Sequence, residues 1–403
     1  MSTDIAKVAG GVTAPREFRA GGMACGIKQS AKPDLAVVYS LRRSVAAGVF
    51  TTNKVAAAPV GWCRGVIGGG DLRAIIANSG NANACTGGQG AVDAREMAVA
   101  TANSLGLQPR QVLVCSTGRI GRRLPIERIR AAIPEVVAMA SARGSTSAAR
   151  AIMTSDTRPK QHAVETTING RQIRVGGIAK GAGMVEPSMA TMLAFITTDA
   201  EVARRPWRRL LREAVELSFN RICVDGDMST NDSVLALANG AAGNPPVDDH
   251  AGSAFNTLRE AVLAVCRELA RRIVLDAERA SRLVEVAVSG ARDDADALRA
   301  ARAVANSLLV KCAWSGGDPN WGRIVCAVGY SGADVAIERV DLDFDHVRAV
   351  RGGIEVPGCE KAARRVVAGR RFRIAINLNL GDGQAAVTSS DITPEYVVFN
   401  QSE

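Results

Sequence analysis

Residues 177–199 read GIAKGAGMVEPSMATMLAFITTD, and this stretch joins a glycine-rich, basic segment to a continuous apolar run. The apolar run MLAFI begins directly after Thr191, and a short continuous run of this kind predicts a buried β-strand. The residues before it, up to Ala190, have the glycine and proline content that is typical of a loop. The stretch therefore predicts a loop that leads into a core strand, with Thr191 at the junction.

Two interpretations of Thr191 remain open from the residues alone. A threonine at the start of a core strand usually has a structural role, because β-branched side chains suit strands. Alternatively, the Ala190–Thr191 bond is cut, and the freed α-amine, with a pKa near neutral, takes the proton of its own hydroxyl without help from a histidine. The chain has only three histidines, which agrees with a catalytic base of another kind.

The hydroxyl of Thr191 could also make this cut itself. Its attack on the carbonyl carbon of Ala190 would shift the acyl group from nitrogen to oxygen, and water would then release the ester. Such a shift requires an unusual backbone turn, for which Gly181, Gly183 and Pro187 offer conformational options. It also requires hydrogen-bond donors for the oxyanion.

On both sides of this stretch, periodic patterns predict a mixture of strands and helices. The apolar runs that predict strands are LAVVYS (35–40), RAIIANS (73–79), QVLVCST (111–117), RIVCAVG (323–329) and FRIAINLNL (372–380). The segments that predict helices are 91–105, 126–142, 206–218 and 253–273. The mixture predicts an α/β or α+β fold. A length of 403 residues is typical of two domains or one large composite unit.

Composition and charge exclude several classes of protein. Hydrophobic residues make up 47% of the chain, which is typical of a globular protein. No apolar run has the length that a bilayer requires, and the N-terminus lacks the pattern of a secretory signal. The net charge of +10 comes from scattered basic residues without interleaved aromatic residues, which argues against nucleic acid as a partner. The nine cysteines are odd in number and include no CxxC pair, which argues against a disulfide framework or a cysteine-based zinc site and favours the cytoplasm.

Five stretches are rich in glycine, asparagine, serine, threonine and aspartate. They are NSGNANACTGG (78–88), CSTGRIG (115–121), MTSDTRPK (153–160), VDGDMSTND (224–232) and SGGDPNWGR (315–323). Five such stretches in one chain favour a polar site that is built from loops. The fourth stretch does not fit a calcium-binding EF-hand loop, because Thr230 and Ala236 occupy the glycine and glutamate positions.

Several of these motifs match, in the same order, the sequence pattern of a known protein family. The matching segments, in order, are ACGIK (24–28), AGVFTTNKV (47–55), NSGNANACTG (78–87), STGRIG (116–121), AIMTSDTRPK (151–160), KGAGMVEPSMATMLAF (180–195), SFNRICVDGDMSTND (218–232) and GGDPNWGR (316–323). Through them the chain resembles, almost from end to end, the ornithine acetyltransferase (glutamate N-acetyltransferase) family of arginine biosynthesis.

The resemblance implies a fold, a maturation step and a reaction. It implies a two-part α/β protein with layered sheets and helices, related in mechanism to N-terminal-nucleophile hydrolases. It implies self-cleavage between Ala190 and Thr191 into fragments 1–190 and 191–403, which stay together as an α2β2 assembly. It implies ping-pong transfer of acetyl from N-acetylornithine to glutamate, without a metal or cofactor, and with acetyl-CoA as a donor in some members.

The resemblance also implies roles for individual residues. Thr191 would be the nucleophile, and Thr117 and Gly118 would form the oxyanion hole. The residues that would contact substrate are Thr154, Lys180, Glu278, Asn400 and Thr191 itself. Glu278 would meet an ammonium or side-chain amine of the substrate.

The chain departs from the family pattern near several of these positions. The family usually reads DGEGATK where residues 276–282 read DAERASR, so that Arg279 stands where glycine is usual and Arg282 where lysine is usual. Met228 replaces a common threonine, and Arg119 replaces an apolar residue. The sequence ends three residues after Asn400, about two residues before the serine or threonine that touches substrate in members of the family. These departures concern the choice of donor and acceptor.

Two alternatives to the N-acetylornithine reaction remain open. The same acyl-threonine chemistry could act on a different N-acyl amino acid, as a transferase or an amidase. A non-catalytic binding protein with the same fold is a further alternative, which the retained KGAGM and ATML motifs disfavour because binding requires no scissile bond.

Overall fold

The computed structural model describes residues 5–186, 192–248 and 252–401. The strands found there are β1 (Ala6–Val8), β2 (Phe18–Met23), β3 (Leu35–Ser40), β4 (Val45–Phe50), β5 (Ala74–Asn81), β6 (Val112–Arg119), β7 (Lys160–Ile168), β8 (Arg171–Lys180), β9 (Leu193–Thr198), β10 (Ile222–Cys223), β11 (Ser233–Ala238), β12 (Leu283–Ala291), β13 (Asp341–Phe344), β14 (Val347–Arg351), β15 (Ile354–Glu355), β16 (Arg371–Asn377) and β17 (Gly383–Ser390). The helices are α1 (Ala58–Val66), α2 (Gly87–Leu105), α3 (Ile126–Met139), α4 (Ser145–Ala151), α5 (Arg204–Glu216), α6 (Ser253–Leu275), α7 (Asp294–Asn306), α8 (Leu308–Ser315), α9 (Trp321–Gly329), α10 (Glu360–Val367) and α11 (Pro394–Asn400).

The chain divides into two compact units, and both are discontinuous in sequence. Unit 1 consists of Met1–Gly181, Ser188–Asn220 and Met228–Ile273. Unit 2 consists of Ala182–Pro187, Arg221–Asp227 and Val274–Glu403.

Unit 1 contains two sheets. The first has six strands in the order β1-β7-β8-β9-β11-β4, and the second has four in the order β2-β3-β5-β6. Successive side chains of β3 point to opposite faces of its sheet, which explains why layers form on both sides. Val38 packs into a core that includes Phe195 of the six-stranded sheet, whereas Val37 packs into a core that includes Met97 of α2.

Helices cover the outer face of the six-stranded sheet as well. The indole Nε1 of Trp207 in α5 donates to the carbonyl of Ala236 in β11 at 3.3 Å. A Cβ atom at Gly177 of β8 would lie 2.9 Å from a methyl group of Leu269 in α6, so glycine there permits close contact of helix and strand. Unit 1 is therefore layered in the order helix, sheet, sheet, helix.

Unit 2 contains one mixed sheet in the order β10-β17-β12-β16-β13-β14-β15. Its core joins alternate residues of β12, such as Val284 and Val286, to buried residues of the neighbouring helices, among them Ala301 of α7 and Ile324 of α9. Within the residues that the structure describes, no helix is long and apolar enough to cross a membrane.

The predicted mixed α/β class and layered arrangement are confirmed, as are the four predicted helices within a few residues of their ends. The buried strand after Thr191 is confirmed as β9, all six residues of which are buried. The strand prediction for residues 323–329 is wrong, because this segment lies in α9. The Asn320 side chain accepts a hydrogen bond from the backbone N–H of Arg323 and caps this helix.

Candidate active site

The end of β6 carries the predicted oxyanion residues Thr117 and Gly118. Gly118 has φ +130°, and a Cβ atom there would lie 2.4 Å from the carbonyl carbon of Gly80 in the paired strand β5. Only glycine fits this close approach of two backbones. The β5–β6 pairing loses its regular register at this point. Glycine therefore permits the close contact of the β5 and β6 backbones at the point where β6 carries Thr117 and Gly118.

Lys180, the last residue of β8, contacts Thr117. Its Nζ donates to Oγ1 of Thr117 at 3.3 Å, and both side chains are buried. An ammonium group can only donate, so the Thr117 oxygen accepts here and its own proton is directed to another acceptor. A hydroxyl in this state can donate to a developing oxyanion.

The buried carboxylate of Asp156 organises the polar residues around Lys180. Its Oδ1 accepts from the Nζ of Lys160 at 2.5 Å and from the backbone N–H of Gly181 at 2.8 Å. Its Oδ2 accepts from the backbone N–H of Thr154 at 3.0 Å. Burial opposes ionisation, but the charges of Lys160 and Lys180 outweigh it and lower the pKa of Asp156 to about 2. Thr154 and the end of β8 are thus joined through one carboxylate.

Lys28 is a further partly buried cation in the same charge environment. Its Nζ donates to the carbonyls of Pro33 at 2.8 Å and Met153 at 2.7 Å. Burial lowers the pKa of Lys28 to about 8, against the attraction of Asp34 and Asp156. Because the three lysines Lys28, Lys160 and Lys180 outnumber the carboxylates of Asp34 and Asp156, this part of unit 1 suits an anionic group such as a substrate carboxylate.

Asp232 contacts the backbone of Met192, the residue that follows the predicted nucleophile in the sequence. Its Oδ1 accepts from the backbone N–H of Met192 at 2.9 Å, while its Oδ2 has no hydrogen-bond partner among the residues described. Burial raises the pKa of this carboxyl well above its usual range and outweighs the Met192 hydrogen bond. Ala190 and Thr191 themselves lie outside the described residues.

The amide of Asn231 connects two of the polar stretches. Its Nδ2 donates to the carbonyls of Ala82 at 2.6 Å and Ser116 at 2.8 Å, so it fixes the backbone just before Thr117. These bonds explain the polar residue at position 231, where packing alone would favour an apolar one.

Unit 2 brings together the other two predicted substrate residues. Nδ2 of Asn400 donates to Oε2 of Glu278 at 3.3 Å. The Glu278 carboxylate lies against Gly183, where a Cβ atom would be 2.4 Å from Oε2. The backbone N–H of Glu278 donates to the carbonyl of Ala182 at 3.0 Å. An acidic side chain with an adjacent amide suits a cationic amine.

Several of these residues were not singled out from the sequence. They are Lys28, Asp156, Lys160, Asn231 and Asp232; Lys28 lies in the quoted segment ACGIK (24–28), and the other four lie in the polar stretches 153–160 and 224–232. Their charged or polar character was visible in the sequence, but their burial and partners were not. In the described part of the chain, no group of three or more histidine, cysteine, aspartate or glutamate side chains could hold a metal ion.

Known proteins resemble this chain along nearly its whole length. The model of the ArgJ family matches residues 19–402. The arginine biosynthesis bifunctional protein ArgJ of Geobacter sulfurreducens is 50% identical over 386 residues, which cover 95% of this chain and 98% of that protein. A glutamate N-acetyltransferase of Methanocaldococcus jannaschii is 45% identical over 403 residues, covering 97% of this chain and 98% of that protein.

Among solved structures, an ornithine acetyltransferase of Mycobacterium tuberculosis in complex with ornithine is 43% identical. It covers 46% of this chain and 99% of that chain, with a TM-score of 0.43. From the family match and the curated relatives together, the chain belongs to the ArgJ family.

Proposed function

We propose that this chain is a self-processing acyltransferase that moves an acetyl group from N-acetylornithine to glutamate. The observation that carries the proposal is the convergence of Thr117, Lys180 and Asp156 at the end of β8. This end of β8 immediately precedes the connection to β9 that contains Ala190 and Thr191. The names of the curated relatives support the same reaction class.

Maturation begins with attack of the Thr191 hydroxyl on the carbonyl carbon of Ala190. The hydroxyl proton passes to the Thr191 nitrogen as the C–N bond breaks, and an ester forms. Water then hydrolyses the ester, which frees the Ala190 carboxylate and restores the hydroxyl. The products are fragments 1–190 and 191–403, and the new α-amine lies beside the nucleophile.

Transfer follows in two half-reactions. The α-amine takes the hydroxyl proton, the oxygen attacks the acetyl carbonyl carbon, and the Thr117 hydroxyl and Gly118 N–H stabilise the oxyanion. The C–N bond of N-acetylornithine breaks, and the proton on the Thr191 amine passes to ornithine as it leaves. The amine of glutamate then attacks the acetyl ester and gives its proton to the Thr191 amine, which returns it to the oxygen as the C–O bond breaks. Nucleophile and base both belong to Thr191, so the scheme requires neither metal nor cofactor.

Charge supports the assignment of substrates. Lys180, with Lys28 and Lys160 nearby, suits the carboxylate that N-acetylornithine and glutamate share. Glu278 and Asn400 suit the free amine of an ornithine side chain. Three further proposals rest on the family resemblance alone. Acetyl-CoA is a second acetyl donor, the cleaved fragments form an α2β2 assembly, and the protein is located in the cytoplasm.

The sheet order supports fragments that stay together after cleavage. In the six-stranded sheet, β1, β4, β7 and β8 come from residues before Thr191, whereas β9 and β11 come from residues after it. β9 pairs with β8 along six residue pairs, and β11 pairs with β4 along six more. Separation of the fragments would break both ladders.

The alternative of another N-acyl amino acid rests on the loop around Glu278, where Arg279 departs from the family pattern. A panel of N-acetyl amino acids, assayed for transfer to glutamate and for hydrolysis, separates the two. Turnover of N-acetylornithine with glutamate and of no other pair would remove the alternative.

The test of the main proposal is the intact mass of the denatured protein. We expect two fragments, the second beginning at Thr191 and gaining one acetyl group on incubation with N-acetylornithine. Thr191→Ala should give one uncut, inactive chain, whereas Thr167→Ala, a change at an exposed strand position, should behave as wild type. An uncut but fully active Thr191→Ala variant would disprove the proposal.

A further inference from the structure

The neighbouring side chains of Glu278 and Arg279 make contacts with different partners. Glu278 lies against Gly183 and receives a hydrogen bond from Asn400. The guanidinium of Arg279 lies over the ring of Phe399, with its Cζ 4.9 Å from the ring centroid. A cation in this position is attracted by the face of an aromatic ring.

Both contacts lead to α11, the last helix of the chain. A third contact joins the start of this helix to the same loop, because the Thr393 hydroxyl donates to the carbonyl of Arg279 at 2.9 Å. The same hydroxyl oxygen accepts from the backbone N–H of Tyr396 and caps α11. Residues 278 and 279 therefore contact α11 near both of its ends.

Burial does not hold α11 in place. The structure describes all seven of its residues, none of which is buried, and Val397 and Val398 are more than half exposed. Isolated helices of this length are marginal in water. A small number of specific contacts, which also include the hydrogen bond from the Tyr396 hydroxyl to Oδ2 of Asp225 at 3.2 Å, therefore decides how often α11 is docked.

The backbone of Arg279 supports a positional role for its side chain. Its φ is +56°, in the left-handed region that is unfavourable for residues other than glycine. This conformation turns the loop so that successive residues present their side chains to separate targets. Arginine thus occupies a conformationally unfavourable position, where glycine is usual in the family pattern, and its side chain has a defined partner there.

We propose that Arg279 is a positioning residue that, by stacking on Phe399, holds α11 against the Glu278 loop and thereby keeps Asn400 at the Glu278 carboxylate. The inference rests on the proposed function in one respect, namely that Glu278 and Asn400 bind the side-chain amine of N-acetylornithine. Arg279 itself does not touch the substrate. Its effect is on the fraction of molecules in which the amine site is complete.

The first arm of the test measures docking without reference to activity. Hydrogen exchange of the α11 amides is followed by mass spectrometry in full-length wild type, Arg279→Ala and Arg365→Ala. Arg365 is an exposed arginine on α10 and serves as the matched control. We expect exchange in α11 to be about two- to fivefold faster in Arg279→Ala, the range of a surface cation–π contact, and unchanged in the control.

Further variants at position 279 separate the effect of the stacked side chain from the effect of the strained backbone. Alanine at 279 keeps a non-glycine residue at φ +56°, so it removes the stack alone, whereas Arg279→Gly also relieves the backbone. Both should loosen α11, and Arg279→Lys, which keeps a cation over the ring, should restore most of its protection. Phe399→Leu should loosen α11 at least as much as Arg279→Ala, and the double variant should lose less than the sum of the two, because both changes remove the stack.

The second arm measures acetyl transfer in the same variants. The KM for N-acetylornithine should rise in Arg279→Ala, by at most about two- to fivefold, while kcat changes little, because KM follows the docked fraction and the Thr191 chemistry is untouched. Unchanged α11 exchange in Arg279→Ala would overturn the proposal whatever the activity. Faster exchange with an unchanged KM would overturn the link to the amine site. Absence of transfer in wild type would instead contradict the proposed function, and the exchange arm would still decide whether Arg279 holds α11.

Discussion

Asp156 is a residue whose charge state connects stability to the candidate site. Its folded pKa of about 2 lies below the ordinary aspartate value of 3.8. A carboxyl with a lowered folded pKa stabilises the fold above its unfolded pKa, and this contribution is lost as the pH falls toward the folded value. The contribution of Asp156 is therefore present at neutral pH and disappears between about pH 4 and pH 2.

Asp156→Asn should destabilise the protein at neutral pH by about 3–5 kcal/mol, because it removes the carboxylate that pairs with the buried Lys160 charge. The difference from wild type should shrink as the pH falls through this window, because the wild-type carboxyl then becomes neutral as well. Urea unfolding of both proteins at a series of pH values measures the difference. Asp382→Asn, at an exposed position, is the control and should show no such window. A difference that stays constant with pH would contradict the assignment.

Thr117 is a second residue whose proposed role, donation from its hydroxyl to the oxyanion, can be measured. Thr117→Ala removes one of two oxyanion donors, and loss of a single donor costs about 10²–10³ in rate. We expect the rate of acetylation of the fragment beginning at Thr191 to fall by this factor. Because the same donors would serve the cut at Ala190, maturation should be slower too. Processed Thr117→Ala protein with a wild-type acetylation rate would show that Thr117 has no part in catalysis.

The packing of secondary structure elements determines where these side chains lie. In the β5–β6 pair, the two strand backbones approach so closely at Gly118 that a side chain there has no room. Gly118 and Gly121 both have positive φ, but of the two only Gly118 lies so close to another strand that an added Cβ atom would touch its backbone. Gly121→Ala should therefore cost only the left-handed conformation, about 1–2 kcal/mol. Gly118→Ala should cost more, because strand β5 must also move. Thermal unfolding of both variants compares the two costs, and equal losses would mean that the strand contact is unimportant.

Element type was predictable where the pattern was long, and less so where it was short. The stripe of residues 253–273 extends over five turns of helix, and the structure has α6 there. The segment RIVCAVG is only seven residues long, and its apolar residues fit a buried strand as well as one face of a short helix. Capping by Asn320 and burial of Ile324, Ala327 and Val328 on one face favour the helix. Those burial contacts come from distant parts of the chain, so the sequence alone could not decide.

The candidate site was predictable in its residue types but not in its partners. Thr117, Lys180 and Asp156 come from three separated motifs, and only the folded strands bring them together. Resemblance to a family identified the first two, whereas Asp156 became visible through its burial. A buried carboxylate and an exposed one have the same letter in a sequence, and their difference lies in tertiary packing.

At the scale of the whole molecule, the two products of the proposed cleavage do not coincide with the two compact units. Residues 182–187 precede the proposed cut and belong to unit 2, whereas residues 188–220 and 228–273 belong to unit 1. Pairing between strands that are distant in sequence creates this pattern, and local propensity carries no information about it. Each unit would therefore contain residues from both products of cleavage.

This division predicts how the mature protein behaves when its fragments are separated. The two fragments should elute together from a sizing column under native conditions and separate only in denaturant. Fragment 191–403 expressed alone should fail to fold, because β9 and β11 would lose their partners β8 and β4 and expose unpaired edges. Co-expression of both fragments as separate chains should restore a soluble complex. A soluble, cooperatively unfolding fragment 191–403 on its own would mean that the shared six-stranded sheet is not what holds the mature protein together.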